Sequence, residues 1–206
     1  MSSDSAGPRN AATVVVEETL AKTGERPSLQ LAPPPQLLAL ANEIDVALRR
    51  RPGRLQRTVM EALSEAVTGE RWLPPERRRA NHDCYARHLL YGDPDGKFSI
   101  LSLVWNHGQQ SPIHAHRTWC AMGVYDGEFT ETVYQDAEDG HLAEISVERR
   151  GPGSVSFDPA MTSIHRVDNR SGHVAVSLHV YGVGPTLVTT DINRVYPSIV
   201  PILPIR

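Results

Sequence analysis

Two histidines one residue apart, followed by a cysteine, mark the stretch SPIHAHRTWC, residues 111–120. On a β-strand, side chains alternate between faces, so His114 and His116 emerge on the same side. Two neighbouring imidazoles can bind one metal ion. They can equally be two hydrogen-bonded histidines on a surface strand, and the spacing alone leaves both readings open. The sequence has nine histidines but only two cysteines, Cys84 and Cys120. Two cysteines make no disulfide framework, and a cytoplasmic setting is expected.

The elements that must position these residues can be read along the chain. Its 206 residues suffice for one sizeable domain with a real core. Hydrophobic residues make up 40% and charged residues 22%, as in ordinary globular proteins. The net charge of −3 points to neither nucleic acid nor an anionic membrane as partner. The first residues show no basic stretch leading into an apolar core, and no apolar run is long enough to span a bilayer. A monomer is expected. Residues 1–33 read as a flexible tail, although ATVVVEETLA within it suits a short helix or strand.

Residues 34–82 read as a helical segment. Leu37, Ala41, Ile44 and Leu48 fall on one helical face, and Leu55, Val59, Leu63 and Ala66 on another. Pro52 and Gly53 separate the two helices, and Gly69 stops the second. The basic run at 49–54 reads as a solvated helix end with favourable dipole interaction rather than as a nucleic-acid patch. From residue 83 to 206 short apolar segments alternate with Gly, Asp and Asn turns, including CYARHLLYG, KFSILSLVW, WCAMGVYDG, EFTETVYQ and HVAVSLHVYG. This pattern predicts an antiparallel sandwich or barrel. DPDG and YDGE read as hairpin turns. KFSILSLVW is apolar on both faces, as a central strand between two layers should be.

Glycine spacing adds to the histidine pair. Gly108, His114, His116, Cys120 and Gly127 form G-x5-H-x-H-x3-C-x6-G. This resembles the first motif of the cupin superfamily, with cysteine where cupins usually carry a glutamate ligand. Gly153, Pro159, His165 and Asn169 resemble the second motif, with Met161 at a usual glycine position and one residue inserted before the histidine. The resemblance implies a mainly β fold, a double-stranded β-barrel or jelly roll with the N-terminal helices packed outside. It also implies metal ligation by His114, His116 and His165.

The cysteine narrows the resemblance to the cysteine dioxygenase family of thiol dioxygenases. It spans about Cys84 to Tyr181 and rests on YAR at 85–87, DGKFSILSLVWNHGQQSPIHAH, IHRVDN at 164–169 and AVSLHVY at 175–181. What the family implies is an Fe(2+) centre that places both atoms of O2 on the sulfur of a small carboxylate-bearing thiol, giving a sulfinic acid. Arg87 would hold the carboxylate, with Tyr85 and Arg166 beside the substrate. Ser177, His179 and Tyr181 would form a hydrogen-bonded chain, and strand alternation permits it. Cys120 would be the partner of Tyr181 in a thioether crosslink.

Arg87 and Cys120 are of the L-cysteine type. HLLYGDPDGKFS, Thr118–Trp119 and HVYG resemble the enzymes acting on 3-mercaptopropionate, and Gly182–Val183 replace a Ser-Pro that usually follows the tyrosine. Ala115 stands where an aspartate is usual. L-Cysteine, 3-mercaptopropionate, mercaptosuccinate and ergothioneine are therefore the candidate thiols. A carbon–carbon-cleaving three-histidine cupin is set against this reading, as is a non-catalytic cupin that senses a small ligand. The Tyr-x-Arg and the AVSLHVY chain argue for the thiol dioxygenase.

Overall fold

The computed structural model describes residues 32–50, 52–136, 141–188 and 192–197. The tail expected over residues 1–33 lies, but for its last two residues, outside them. Two α-helices come first, α1 (Pro35–Arg50) and α2 (Leu55–Thr68), separated by a single 3-10 turn at Pro52–Arg54. Their apolar stripes are as the spacing predicts. Leu37, Leu40, Ala41, Ile44 and Ala47 are buried on α1, and Val59, Ala62, Leu63, Ala66 and Val67 on α2. Gly69 ends α2 in an extended conformation, and its N–H still bonds to the Glu65 carbonyl. Among the described residues no helix is long and apolar enough to cross a membrane.

Ten strands follow: β1 (Ala86–Gly92), β2 (Ser99–Trp105), β3 (His114–His116), β4 (Cys120–Asp126), β5 (Phe129–Asp136), β6 (Leu142–Arg150), β7 (Val155–Asp158), β8 (Ile164–Asp168), β9 (Ala175–Tyr181) and β10 (Asn193–Val195). They form two five-stranded sheets, in the orders β1-β2-β9-β4-β7 and β10-β3-β8-β5-β6. The strand pairings within both sheets are antiparallel. The architecture is a cupin double-stranded β-barrel with two helices on its outside.

The first sheet is covered on both faces. Ile100, Val104, Ala121, Val176, Leu178 and Val180 pack with the helices in one core. Leu101, Leu103, Trp105, Met122 and Val124 turn the other way and join Phe129 and Val167 of the second sheet in the barrel core. This explains why β2 and β9 are buried at every position and read as continuous apolar runs.

One expected turn has a different role. DPDG does connect the paired strands β1 and β2. YDGE does not form a hairpin, because β4 lies in the first sheet and β5 in the second. Gly127 turns the corner at φ +75, and a Cβ there would lie 2.8 Å from the Ala175 Cα. A turn signal shows that the chain bends there but not which strand comes next in the sheet.

Helix α2 approaches the first sheet over a glycine. A Cβ on Gly123 would lie 2.9 Å from both Leu63 Cγ and Val67 Cγ1. Gly123→Ala should therefore cost about 1–3 kcal/mol by overpacking. Gly151→Ala, where a Cβ meets nothing within 4 Å, should be neutral or slightly stabilising. Urea unfolding of the two variants measures the difference, and equal midpoints would show that the helix does not rest on Gly123.

Candidate metal centre

Strands β3 and β8 bring the three histidines together. His114 and His165 are directly opposed across the antiparallel pair. His116 lies two residues on from His114, on the same face. All three are buried, with one ligand atom from each lying within 4.8 Å of the others. The rings stand 5.0 Å (His114–His116), 4.6 Å (His114–His165) and 5.0 Å (His116–His165) apart.

Each imidazole is held from behind through Nδ1. His114 Nδ1 bonds to the Pro112 carbonyl at 2.9 Å, His116 Nδ1 to Asp158 at 3.1 Å and His165 Nδ1 to Glu131 at 2.8 Å. Carbonyl and carboxylate oxygens accept, so Nδ1 carries the proton in each ring and Nε2 keeps its lone pair. Burial, with the neighbouring histidines, pushes His114 well below the ordinary histidine pKa. Burial also lowers His116, against the pull of Asp158. Neutral rings with converging lone pairs are the state that binds a divalent metal. His165 Nε2 is buried without a hydrogen-bond partner, and a metal would satisfy it. The donor set therefore fits a mononuclear metal, and three imidazoles accept Fe, Zn, Cu or Ni.

The supporting carboxylates are themselves fixed. Burial would raise the Glu131 pKa, but the hydrogen bond from His165 and the Arg150 guanidinium outweigh it and hold the group at about 2. Arg150 bonds to Glu131 through Nε and to Glu148 at 3.0 Å. Asp158 also accepts from the Ala160 N–H at 3.1 Å and the Thr162 hydroxyl at 2.6 Å. These bonds keep it below the usual carboxylate range despite burial. The turn beyond it is strained, with Ala160 at φ 101 and Met161 at φ 53. Met161 is thus in the left-handed region at the position where a glycine is usual.

The other sheet faces this cluster across a cavity of about 170 Å³. Tyr85, Arg87, Cys120, His179 and Tyr181 line it together with the three histidines. Ser177 completes the chain behind. The Trp105 indole N–H donates to Ser177 Oγ at 3.2 Å. The Ser177 hydroxyl therefore gives its own proton to His179 Nε2 at 2.9 Å. His179, kept well below the usual histidine pKa by burial and the nearby cationic and histidine groups, is neutral and carries its proton on Nδ1. That N–H donates to the Tyr181 oxygen at 3.3 Å. Tyr181 then has its O–H left to donate.

Tyr181 is directly opposite Cys120 across β9 and β4, a pairing that sets the two Cβ atoms about 5 Å apart. Burial raises the pKa of both groups well above their ordinary values. The Arg87 guanidinium stands 5.9 Å from the Tyr181 ring centre and donates to the Val188 carbonyl at 3.0 Å. Its Nε is buried without a partner, and among the described residues Arg87 forms no ion pair. Tyr85 stacks on Trp105 at 4.1 Å.

Of the ten residues singled out from the sequence, Arg166 does not join the others. It follows His165 directly, so strand alternation turns it to the outer face of the sheet, beside Asp168 at 3.8 Å. The guanidinium that reaches the cavity from this sheet belongs to Arg150. Glu131, Asp158 and Arg150 were not singled out from the sequence. A charged residue at an inward position of EFTETVYQ was the available signal for Glu131.

Three inward imidazoles on one sheet of a double-stranded barrel form a candidate metal site of cupin type. A family model described as Cysteine dioxygenase type I matches residues 60–191. That is well over half of the sequence, and the chain belongs to this family. It is 30% identical over 101 residues to cysteine dioxygenase type 1 of Rattus norvegicus, covering 47% of this chain and 50% of that protein. To the Danio rerio protein of the same name it is 32% identical over 104 residues, with the same coverage. The chain thus spans about half the length of the curated relatives it matches. Among solved structures, a cupin 2 conserved barrel domain protein from Rhodopseudomonas palustris aligns at a TM-score of 0.43 and 18% identity, covering 55% of this chain and 68% of that one.

Removing a supporting carboxylate should loosen the metal. Glu131→Gln and Asp158→Asn should each weaken metal binding by about 10- to 100-fold in competition with a chelator. Arg166→Ala, outside the cavity, should leave it unchanged. Wild-type affinity in both carboxylate variants would show that they do not support the ligands.

Proposed function

We propose that this protein is a non-haem iron thiol dioxygenase that adds both atoms of O2 to the sulfur of a small carboxylate-bearing thiol. RSH and O2 combine to RSO2H, a sulfinic acid, with no other reactant. The observation that carries this reading is the shared cavity: three converging imidazoles on one side, and on the other, beside a tyrosine hydroxyl, an arginine that forms no ion pair among the described residues. When iron is bound, it supplies the charge that deprotonates a thiol and a centre where thiol and dioxygen meet.

The chain's own groups do the rest. Arg87 offers a fork of N–H donors that pairs with a carboxylate in a fixed orientation. Fixing the carboxylate on one side and the sulfur on the other makes the oxygenation effectively intramolecular. Tyr181 directs its O–H into the cavity because His179 donates to its oxygen from behind. Leu103, Met122, Val133 and Val167 give the cavity apolar walls. A cavity of about 170 Å³ is well below the usual size for larger ligands and suits a small thiol.

The iron-loaded protein should consume oxygen when given small thiols and yield products heavier by two oxygen atoms. No uptake with any thiol, including L-cysteine, 3-mercaptopropionate, mercaptosuccinate and ergothioneine, would overturn the proposal. Arg87→Ala should raise KM for carboxylate-bearing thiols by about tenfold or more, the loss of a charge-assisted hydrogen-bonded pair. His165→Ala should lose iron, measured by metal content.

The facing pair Cys120 and Tyr181 is suited to a thioether. One S–H and one ring C–H would give way to an S–C bond, with two protons and two electrons passing to dioxygen. Intact mass should show a fraction lighter by two hydrogens that disappears in Cys120→Ser. Its absence after repeated turnover would leave Cys120 as a packing residue.

A further inference from the structure

The two sheets differ in what covers their outer faces. Helices α1 and α2 pack on the first. On the second, Glu131, Val133, His165 and Val167 line the cavity, so alternation turns Thr132, Tyr134, Ile164 and Arg166 outward. Thr132 and Tyr134 are nevertheless buried, at 1% and 2% exposure, as is Leu142 at the start of β6. Tyr134 and Leu142 form a small apolar cluster with Ile113, Ile164 and Tyr196, and no helix residue is among its members. Two polar atoms on this face, the Tyr134 hydroxyl oxygen and Arg166 Nε, are buried without a hydrogen-bond partner. A guanidinium N–H only donates and a phenol O–H can donate, so a carbonyl oxygen would satisfy either.

We propose that this face is the docking surface for the chain's own residues 198–206, SIVPILPIR. The inference does not depend on the reaction proposed above. The chain leaves the described residues at this face. The Tyr196 N–H donates to the Ile113 carbonyl at 2.9 Å, and the Tyr196 side chain packs in the same cluster as Tyr134. The segment begins two residues later. Its composition matches the surface. Pro201 and Pro204 favour the polyproline II backbone, whose three residues per turn put Ile199, Ile202 and Ile205 along one edge. That backbone makes no internal hydrogen bonds, so its carbonyls are free to accept from Tyr134 and Arg166 while the isoleucines meet Tyr134, Leu142 and Ile164. At about 3.1 Å per residue the segment is long enough to cross β8, β5 and β6, whose outer two strands lie about 10 Å apart. Residues 1–31, by contrast, lead into α1, which packs outside the first sheet.

The test uses the full chain. With p-benzoylphenylalanine in place of Ile202, illumination and peptide mass spectrometry should find links within one molecule to residues 130–136, 142–150 or 164–168. Links to the helices or to the first sheet, links between two copies, or no link above that formed in denaturant would overturn the inference. A second measurement is amide hydrogen exchange. Ile202→Asp should speed exchange in β5 and β8 by about tenfold or more, the loss of one buried isoleucine, and leave α1 and α2 unchanged. Arg206→Glu, off the isoleucine edge, should leave exchange in β5 and β8 as in the wild type. Unchanged exchange in Ile202→Asp, or an equal effect of Arg206→Glu, counts against docking through that edge. Should Ile202→Asp fail to fold, the crosslink decides alone.

Discussion

Three buried imidazoles packed within about 5 Å of one another constrain everything around them. Protonated, they would repel one another and lose their hydration. The cluster is therefore stable only if every ring is neutral, and each ring then has one N–H that must be satisfied. The structure meets this with three acceptors placed behind the rings: the Pro112 carbonyl, Asp158 and Glu131. The β3–β8 pairing sets His114 against His165, and the β5–β8 pairing sets Val133 against His165 and Glu131 against Val167. Strand β8 thus lies between a strand that brings the other ligands and one that carries its support.

The two sheets divide the work. The second sheet holds His114, His116 and His165, with Glu131 and Arg150. The first carries Arg87, Cys120, Ser177, His179 and Tyr181. Asp158 crosses the division, since β7 belongs to the first sheet and its carboxylate accepts the hydrogen bond from His116 in the second. The distance between the halves is therefore coupled to the orientation of a ligand. The helices act on the same distance from outside. They press on the first sheet through Gly123 and bury its outer face, so the strands bearing Tyr181 and Cys120 are packed from both sides.

Much of this was legible in the sequence because alternation with period two is a local rule. It places His114 with His116 and Ser177 with His179 and Tyr181 without any knowledge of pairing. The helices were equally plain, since Leu37, Ala41 and Ile44 repeat at helical spacing. The same local rule argues against Arg166, next to His165, as a cavity residue. What stayed hidden depends on partners. Glu131 supports His165 only because β5 pairs with β8 in one register, and Asp158 meets His116 only because the two sheets close on each other. A three-residue strand such as β10 carries no apolar alternation that marks it in the sequence. YDGE announced a bend, but sheet membership beyond a bend is a tertiary choice.

Cys120 shows how the charge at such a site can be relocated. In the usual cupin pattern a carboxylate at this position touches the metal and cancels part of its charge. Here that position faces Tyr181 with a thiol whose burial keeps it protonated. Negative charge is still present, but it stands one ring away, on Glu131 and Asp158, where it polarises Nδ1–H and makes Nε2 a better donor. Arg150 offsets part of it at Glu131. With a divalent ion bound, a ligand set without carboxylate would leave its full charge facing the cavity. On the proposed function, an anionic thiolate and a carboxylate would then be drawn in by the metal and by Arg87, from opposite sheets.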